Sequence, residues 1–154
     1  MSESLDPKIS IVIPIYNEEK NIFNLYDRLT GVMQNLGESY EFIFVNDGSR
    51  DSSLALIKTL SQRDEKVKYI DFSRNFGHQI AVSAGLDHTS GQAIVIIDAD
   101  LQDPPELIID LYRKMKEGFE VVYARRRKRE ARCGRHLEGW MDVHGSSPVG
   151  ATGD

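Results

Sequence analysis

Short runs of β-branched and aromatic residues alternate along the chain with segments whose apolar positions recur every three or four residues. Ile9-Ser10-Ile11-Val12-Ile13 is the first run and ends at Pro14. Glu41-Phe42-Ile43-Phe44-Val45 is the second, followed by Asn46-Asp47-Gly48. Val67–Phe72, Ala93–Ile97 (ended by Asp98) and a weaker Val121–Tyr123 complete the series. The first and fourth are apolar at nearly every position, the pattern of strands covered on both faces in a parallel sheet. Between the runs, Ile22, Leu25, Leu29, Val32 and Leu36 predict one helix. Leu54, Ile57 and Leu60 predict a second, opened by the capping oxygens of Asp51-Ser52-Ser53. Ala81, Ala84, Gly85 and Asp87-His88 mark a third with a small-residue face. Leu107, Ile108, Leu111 and Met115 mark a fourth, opened by Asp103-Pro104-Pro105-Glu106 and closed at Gly118. Strand–helix alternation at this spacing predicts a doubly wound α/β layer: a mostly parallel sheet with helices on both faces.

Charge and composition sharpen this picture. No apolar stretch reaches the ~18–20 residues needed to cross a bilayer, and Met1–Asp6 lacks the apolar core of a signal peptide. A single cysteine, Cys133, excludes an internal disulfide framework and a multi-cysteine zinc site, and makes a cytoplasmic setting the default. The net charge of −5 is unevenly spread: residues 125–154 hold 7 Lys+Arg against 4 Asp+Glu, while residues 1–124 hold 12 against 20. The run Arg125–Arg129 is either a solvated basic segment or a surface for phosphates, nucleic acid or an anionic membrane, such as the inner face of the cell membrane. From Ala131 onward no period of 2 or 3.6 is found. Residues 129–154 are therefore expected to be irregular, residues 1–7 to be a tail, and residues 8–128 to form the domain.

In an open α/β sheet, ligands bind at the carboxyl ends of the strands. Four polar segments fall there: Pro14-Ile15-Tyr16-Asn17-Glu18-Glu19, Asn46-Asp47-Gly48-Ser49, Ser73-Arg74-Asn75-Phe76-Gly77-His78 and Asp98-Ala99-Asp100-Leu101-Gln102-Asp103. Asp98 and Asp100 at the mouth of an apolar strand suit a hard divalent cation with oxygen ligands, Mg2+ or Mn2+; the plainer alternative is capping of the next helix. Asp47 suits hydrogen bonds to a base or ribose, or a turn into the next helix, and its replacement by alanine is expected to spare the fold. Tyr16 can pack a base against its ring. Arg74 suits a phosphate or a surface ion pair. His78 and His88 lack a ligand-spaced partner and are read as structural or surface residues.

These four segments, in this order and spacing, resemble family 2 glycosyltransferases. The closer likeness is to the polyprenyl-phosphate branch, similar to dolichyl-phosphate mannosyltransferase and undecaprenyl-phosphate glucosyltransferases. The resemblance covers about residues 8–128 and implies a GT-A, Rossmann-like fold. It implies a nucleotide-diphosphate-sugar donor lined by Pro14, Tyr16, Glu18, Val45, Asp47, Asp98, Ala99 and Asp100. A Mg2+ or Mn2+ ion would be held by Asp98 and Asp100 with Gln102. The acceptor would be a polyprenyl phosphate, with inversion at the transferred sugar and no nucleic acid partner. No catalytic base is assigned, and Asn46 stands where many relatives carry a second aspartate. The likeness fades near Lys128, where relatives continue into acceptor-side and membrane segments. A truncated chain, read out of frame or fused beyond that point, is therefore expected. It leaves two functions: a glycosyltransferase, or an inactive nucleotide-sugar-binding remnant. A hydrolase with an aspartate nucleophile is disfavoured, because none follows the first strand.

Overall fold

The structure, a computed structural model, describes residues 6–126 and 141–146. Two compact units divide at Glu106 and Leu107. The first contains β1 (Ile9–Ile15), α1 (Ile22–Leu36), β2 (Tyr40–Asn46), α2 (Ser53–Arg63), β3 (Val67–Asp71), α3 (His78–Asp87) and β4 (Ala93–Ile96). Its four strands form one parallel sheet in the order β3-β2-β1-β4. The chain winds outward from β1 to β3 and then returns to the other side of β1. This places the reversal of strand order between β1 and β4.

Alternation along the strands decides which helix covers which face. Ile9, Ile11, Ile13, Phe42 and Phe44 are fully buried. The Tyr26 ring of α1 meets Phe42 edge-on, and α2 packs beside α1 on that face. The residues of opposite parity, Val12, Ile43 and Val45, form a cluster with Ala81 of α3, flanked by Ile70 and Phe72. Gly85 permits this close approach: a Cβ there would collide with the Val12 side chain. Helices thus lie on both faces of the sheet, as the periodicity predicts.

Pro14 does not end β1, which continues to Ile15 and pairs Pro14 with Val45. The Val12 carbonyl accepts from Ile97 on the β4 side, so the nitrogen of Pro14 faces that same side, where β4 has already ended. A proline costs no ladder bond there. The expectation for the fourth strand also needs correction. β1 is buried at all seven positions, but Ile94 and Ile96 of β4 are 46% and 49% exposed. Among the described residues β4 is an edge strand, and α3 packs on β1 and β2.

A polar lock not anticipated from sequence closes the amino-terminal end of the sheet. Glu41, 2% exposed, accepts from Ser10 Oγ at 2.6 Å, Lys68 Nζ at 2.6 Å and Ser90 N at 2.8 Å, while Gly91 N donates to Ser10 Oγ at 2.8 Å. Burial pushes the Glu41 carboxyl upward, but the bonds from Lys68, Ser10 and Ser90 outweigh it and hold the group below its usual value. Glu41→Ala leaves Ser10 and Ser90 without an acceptor and is expected to cost about 2–4 kcal/mol in urea unfolding at pH 7. Because the folded pKa is depressed, this contribution is complete above the unfolded value of about 4.3. It is lost as pH falls through the lower folded value. The gap between variant and wild type should therefore narrow near pH 3.

The second unit contains α4 (Leu107–Lys116), β5 (Val121–Arg126) and β6 (Met141–Ser146). β5 and β6 pair antiparallel, and α4 packs on both. β6 falls within the stretch expected to be irregular. Antiparallel pairing across a long connection leaves no local period to read. The rest of the basic run, from Arg127 to Arg135, lies outside the described residues, as do residues 1–5, Cys133 and the Gly-rich 147–153.

Candidate donor site at the strand ends

The carboxyl ends of β1, β2 and β4 and the start of α3 enclose a cavity of about 370 Å3. It is lined by Pro14, Tyr16, Glu18, Asp47, Asp98, Ala99 and Asp100 among the sequence-predicted residues, and by Asn75, Gly77 and His78 in addition. The cavity straddles the reversal point between β1 and β4, where neighbouring crossovers part and leave a crevice. Two predicted residues stand apart from this lining. The Val45 side chain is buried beneath α3. Gln102 reaches the site through its backbone, with N–H donating to Asp100 Oδ1 at 3.0 Å.

One wall is built by two loops that brace each other. Asn17 N donates to Ser49 Oγ at 2.9 Å, and Arg50 N returns a bond to Asn17 Oδ1 at 2.8 Å. Glu18 N donates to Ser53 Oγ at 2.9 Å. Glu19 N donates to Asp51 Oδ2 at 3.2 Å, and Ser52 N to Glu19 Oε2 at 2.9 Å. Burial pushes Asp51 upward, but the Ser53 and Glu19 donors hold its carboxyl below the usual range. Asn17 sits at φ +53°, a left-handed conformation that asparagine tolerates well. Tyr16 follows β1 at the base of this wall, 44% exposed, with its ring free to carry a flat ligand.

Asp47 is 3% exposed, and its two oxygens accept three hydrogen bonds. Phe76 N donates to Oδ1 at 2.7 Å; Gly77 N and Asn75 Nδ2 donate to Oδ2 at 3.1 and 3.2 Å. The carboxylate therefore fixes the β3–α3 loop as well as facing the cavity. Gly48 lets that loop in: at φ +67°, a Cβ would strike the Arg74 and Asn75 backbone. Asn46, 2% exposed, donates from Nδ2 to Asp71 Oδ1 at 2.8 Å and accepts from Ser49 N at 3.3 Å. An aspartate at 46 would face Asp71 with a second carboxylate. The departure at Asn46 is therefore matched to its neighbour. Arg74 lies 4.3 Å from the Phe76 ring centroid, a cation–π contact.

The loop after β4 carries the acidic pair. Leu101 takes φ +61°, a conformation costing on the order of 1–3 kcal/mol for a bulky residue. The turn brings Gln102 N back to Asp100. Arg28 of α1 grips the end of this loop with two bonds to Glu106, at 2.7 and 3.2 Å. The guanidinium holds the Glu106 carboxyl below its usual range, against burial. Asp98 Oδ1 meets His78 Nε2 at 2.8 Å. Sequence reading missed this contact because His78 and Asp98 lie on different elements, and a lone histidine gives no spacing signal. Among the described residues no group of three or more His, Cys, Asp or Glu is arranged to hold a metal. Asp98 and Asp100 each engage one oxygen with the protein and present hard oxygen donors to the cavity. That donor set fits Mg2+ or Mn2+ with further positions for water and phosphate.

Residues 10–139 match the family model described as Glycosyl transferase family 2. The chain is 60% identical over 121 residues to the uncharacterized glycosyltransferase YkcC of Bacillus subtilis (strain 168), covering 79% of this chain and 38% of that protein. It is 42% identical over 124 residues to the undecaprenyl-phosphate 4-deoxy-4-formamido-L-arabinose transferase of Salmonella paratyphi A, covering 80% and 38%. The chain thus spans under two-fifths of the length of these curated relatives. Among solved structures, the mannosyltransferase PcManGT from Pyrobaculum calidifontis, in complex with GDP-Man and Mn2+, matches with a TM-score of 0.58 at 18% identity, over 76% of this chain and 34% of that one. Staphylococcus aureus TarS in complex with UDP-GlcNAc matches at 0.57 and 23%, over 71% and 31%. At such identities these likenesses carry the fold alone, the GT-A arrangement.

Proposed function

The chain belongs to glycosyl transferase family 2, and from that premise we propose that its cavity binds the donor of an inverting transfer from a nucleotide-diphosphate-sugar to a polyprenyl phosphate. The observation that carries this reading is the convergence of Tyr16, Asp47, Asp98, Ala99 and Asp100 on one cavity at the strand-order reversal. Tyr16 offers a ring face to the base. Asp47 and Glu18 offer acceptors to base and ribose. Asp98 and Asp100 are the residues that would hold Mg2+ or Mn2+ beside the diphosphate, with the Gln102 N–H bracing Asp100. Held there, such a cation would neutralise charge on the departing diphosphate.

The bond changes follow from the substrates. An oxygen of the acceptor phosphate bonds to the anomeric carbon from the face opposite the nucleotide. The carbon–oxygen bond to the nucleoside diphosphate breaks, and its electron pair leaves with that group. The acceptor is already anionic near neutral pH, its second pKa being about 6. Positioning therefore matters more than a general base, and no residue of this chain is assigned that role. The names of the relatives support the reading: one transfers a sugar to undecaprenyl phosphate, and the two solved proteins hold GDP-Man and UDP-GlcNAc.

A second reading is donor binding by these residues without transfer: every role assigned above to a residue serves a contact with the donor or its cation. One experiment separates the two. The protein is incubated with labelled nucleotide-sugars and polyprenyl phosphate in detergent with Mn2+, and donor binding is measured in parallel by calorimetry. The second reading expects binding with little lipid-linked product, because an acceptor not held in line forfeits an orientation advantage of up to ~7–11 kcal/mol. Turnover like that of a full-length relative would support the transferase reading for this chain. Absence of donor binding would overturn both. No helix among the described residues is long and apolar enough to cross a membrane; contact with the inner membrane face belongs to this proposal.

A further inference from the structure

We infer that His78 is a positioning residue for the acidic pair: it orients the Asp98 carboxylate toward the cation and so sets the affinity for metal in the nucleotide complex. The inference rests on the donor-site reading above and adds a residue to it.

The geometry begins one strand away. Asp47, at the end of β2, accepts from Phe76 N and Gly77 N, the two amides immediately before α3. Ala81 and Gly85 anchor the helix over β1 and β2, against Val12 and Val45. His78 is the first residue of α3, so its Cα is fixed from both sides. Its side chain spans the crevice from the β2 and β3 side to β4 and places Nε2 at 2.8 Å from Asp98 Oδ1. Both side chains line the cavity and are more than half exposed. The pair is therefore not a buried packing contact, and its energy as a surface ion pair is small.

What the contact does is directional. With Nε2–H donating to Oδ1, the carboxylate plane is set and Oδ2 is left for a ligand. Asp100 is treated alike: Gln102 N engages its Oδ1. Each acidic oxygen pair thus has one atom held by the protein and one left over. Partners of this kind, which hydrogen-bond to a metal-binding group without touching the ion, commonly cost 10–100-fold in metal affinity when removed. His78 differs from the Gln102 amide in being a replaceable side chain, and this makes the inference testable.

The probe is Mn2+ in the presence of UDP or GDP, with bound and free ion separated by electron paramagnetic resonance. Metal-free nucleotide affinity is measured by calorimetry with chelator. His78→Ala should weaken Mn2+ binding in the nucleotide complex at least tenfold while leaving metal-free nucleotide affinity within twofold. His78→Gln, which keeps a donor N–H of similar reach, should recover most of the loss. Equal Mn2+ affinity in His78→Ala and wild type would overturn the inference and leave the donor site standing. Parallel loss of metal-free nucleotide affinity would also overturn it, since a distorted pocket and not an oriented carboxylate would be the cause. If wild-type protein binds neither nucleotide with Mn2+, the donor-site reading falls first and takes the inference with it.

Discussion

Asp47→Ala is expected to lower stability by about 3–4 kcal/mol and to remove nucleotide binding. The substitution deletes an acceptor used by two backbone amides and one side-chain amide. A bond to a charged group contributes about 1.5–3 kcal/mol, and a buried donor left without a partner adds its desolvation cost. The three bonds serve one loop and do not add in full. Both effects share a cause: the β3–α3 loop loses its anchor, and with it the placement of Asn75, Gly77 and His78 in the cavity wall. Urea unfolding and calorimetric titration with UDP and GDP check the two halves. A variant that unfolds like wild type but fails to bind would return Asp47 to ligand contact alone, one of the two roles that its sequence position suggests.

The second large effect belongs to the acidic pair. Asp98→Asn and Asp100→Asn should each weaken nucleotide-sugar binding at least tenfold in the presence of Mn2+, about 1.4 kcal/mol or more. The double variant should bind equally with and without chelator. An amide keeps the size and half of the acceptor capacity but loses the charge that a divalent cation requires. Neither carboxylate is buried in the sheet, so neither change should alter the unfolding free energy by more than about 0.5 kcal/mol. Wild-type affinity that is indifferent to chelator would remove the cation from the site.

The fold was legible where period and burial coincide. Every buried position of α1 (Ile22, Leu25, Leu29, Val32 and Met33) sits at helical spacing, and all but Met33 were read from the sequence. β1 and β2 were recognised by runs rich in β-branched and aromatic residues, whereas Ile94 and Ile96 of β4, a similarly apolar run, proved half exposed. An apolar run reports what a strand tolerates and says nothing of whether a helix lies above it. Most residues that line the cavity were legible because strand ends in a doubly wound sheet converge. What stayed hidden were pairings between distant elements: Glu41 with Ser10 and Lys68, Asp47 with the Phe76 and Gly77 amides, His78 with Asp98. Each joins residues 20 or more positions apart, and no local pattern records such a contact. β6 was hidden for the same reason, its partner strand lying across a long connection.

The braced pair of loops around Asn17 and Ser49 has a thermodynamic consequence for any ligand entering beside Tyr16. Five bonds across residues 17–19 and 49–53 already satisfy the amides of Asn17, Glu18, Glu19, Arg50 and Ser52. The segment therefore has little conformational freedom left to surrender on binding. Ordering a loop around a ligand ordinarily subtracts from affinity, at about 0.5–1.5 kcal/mol for each immobilised side chain. On this side of the cavity that entropy is given up during folding. A ligand entering there meets a backbone already ordered, and less of its contact energy is offset by ordering these loops.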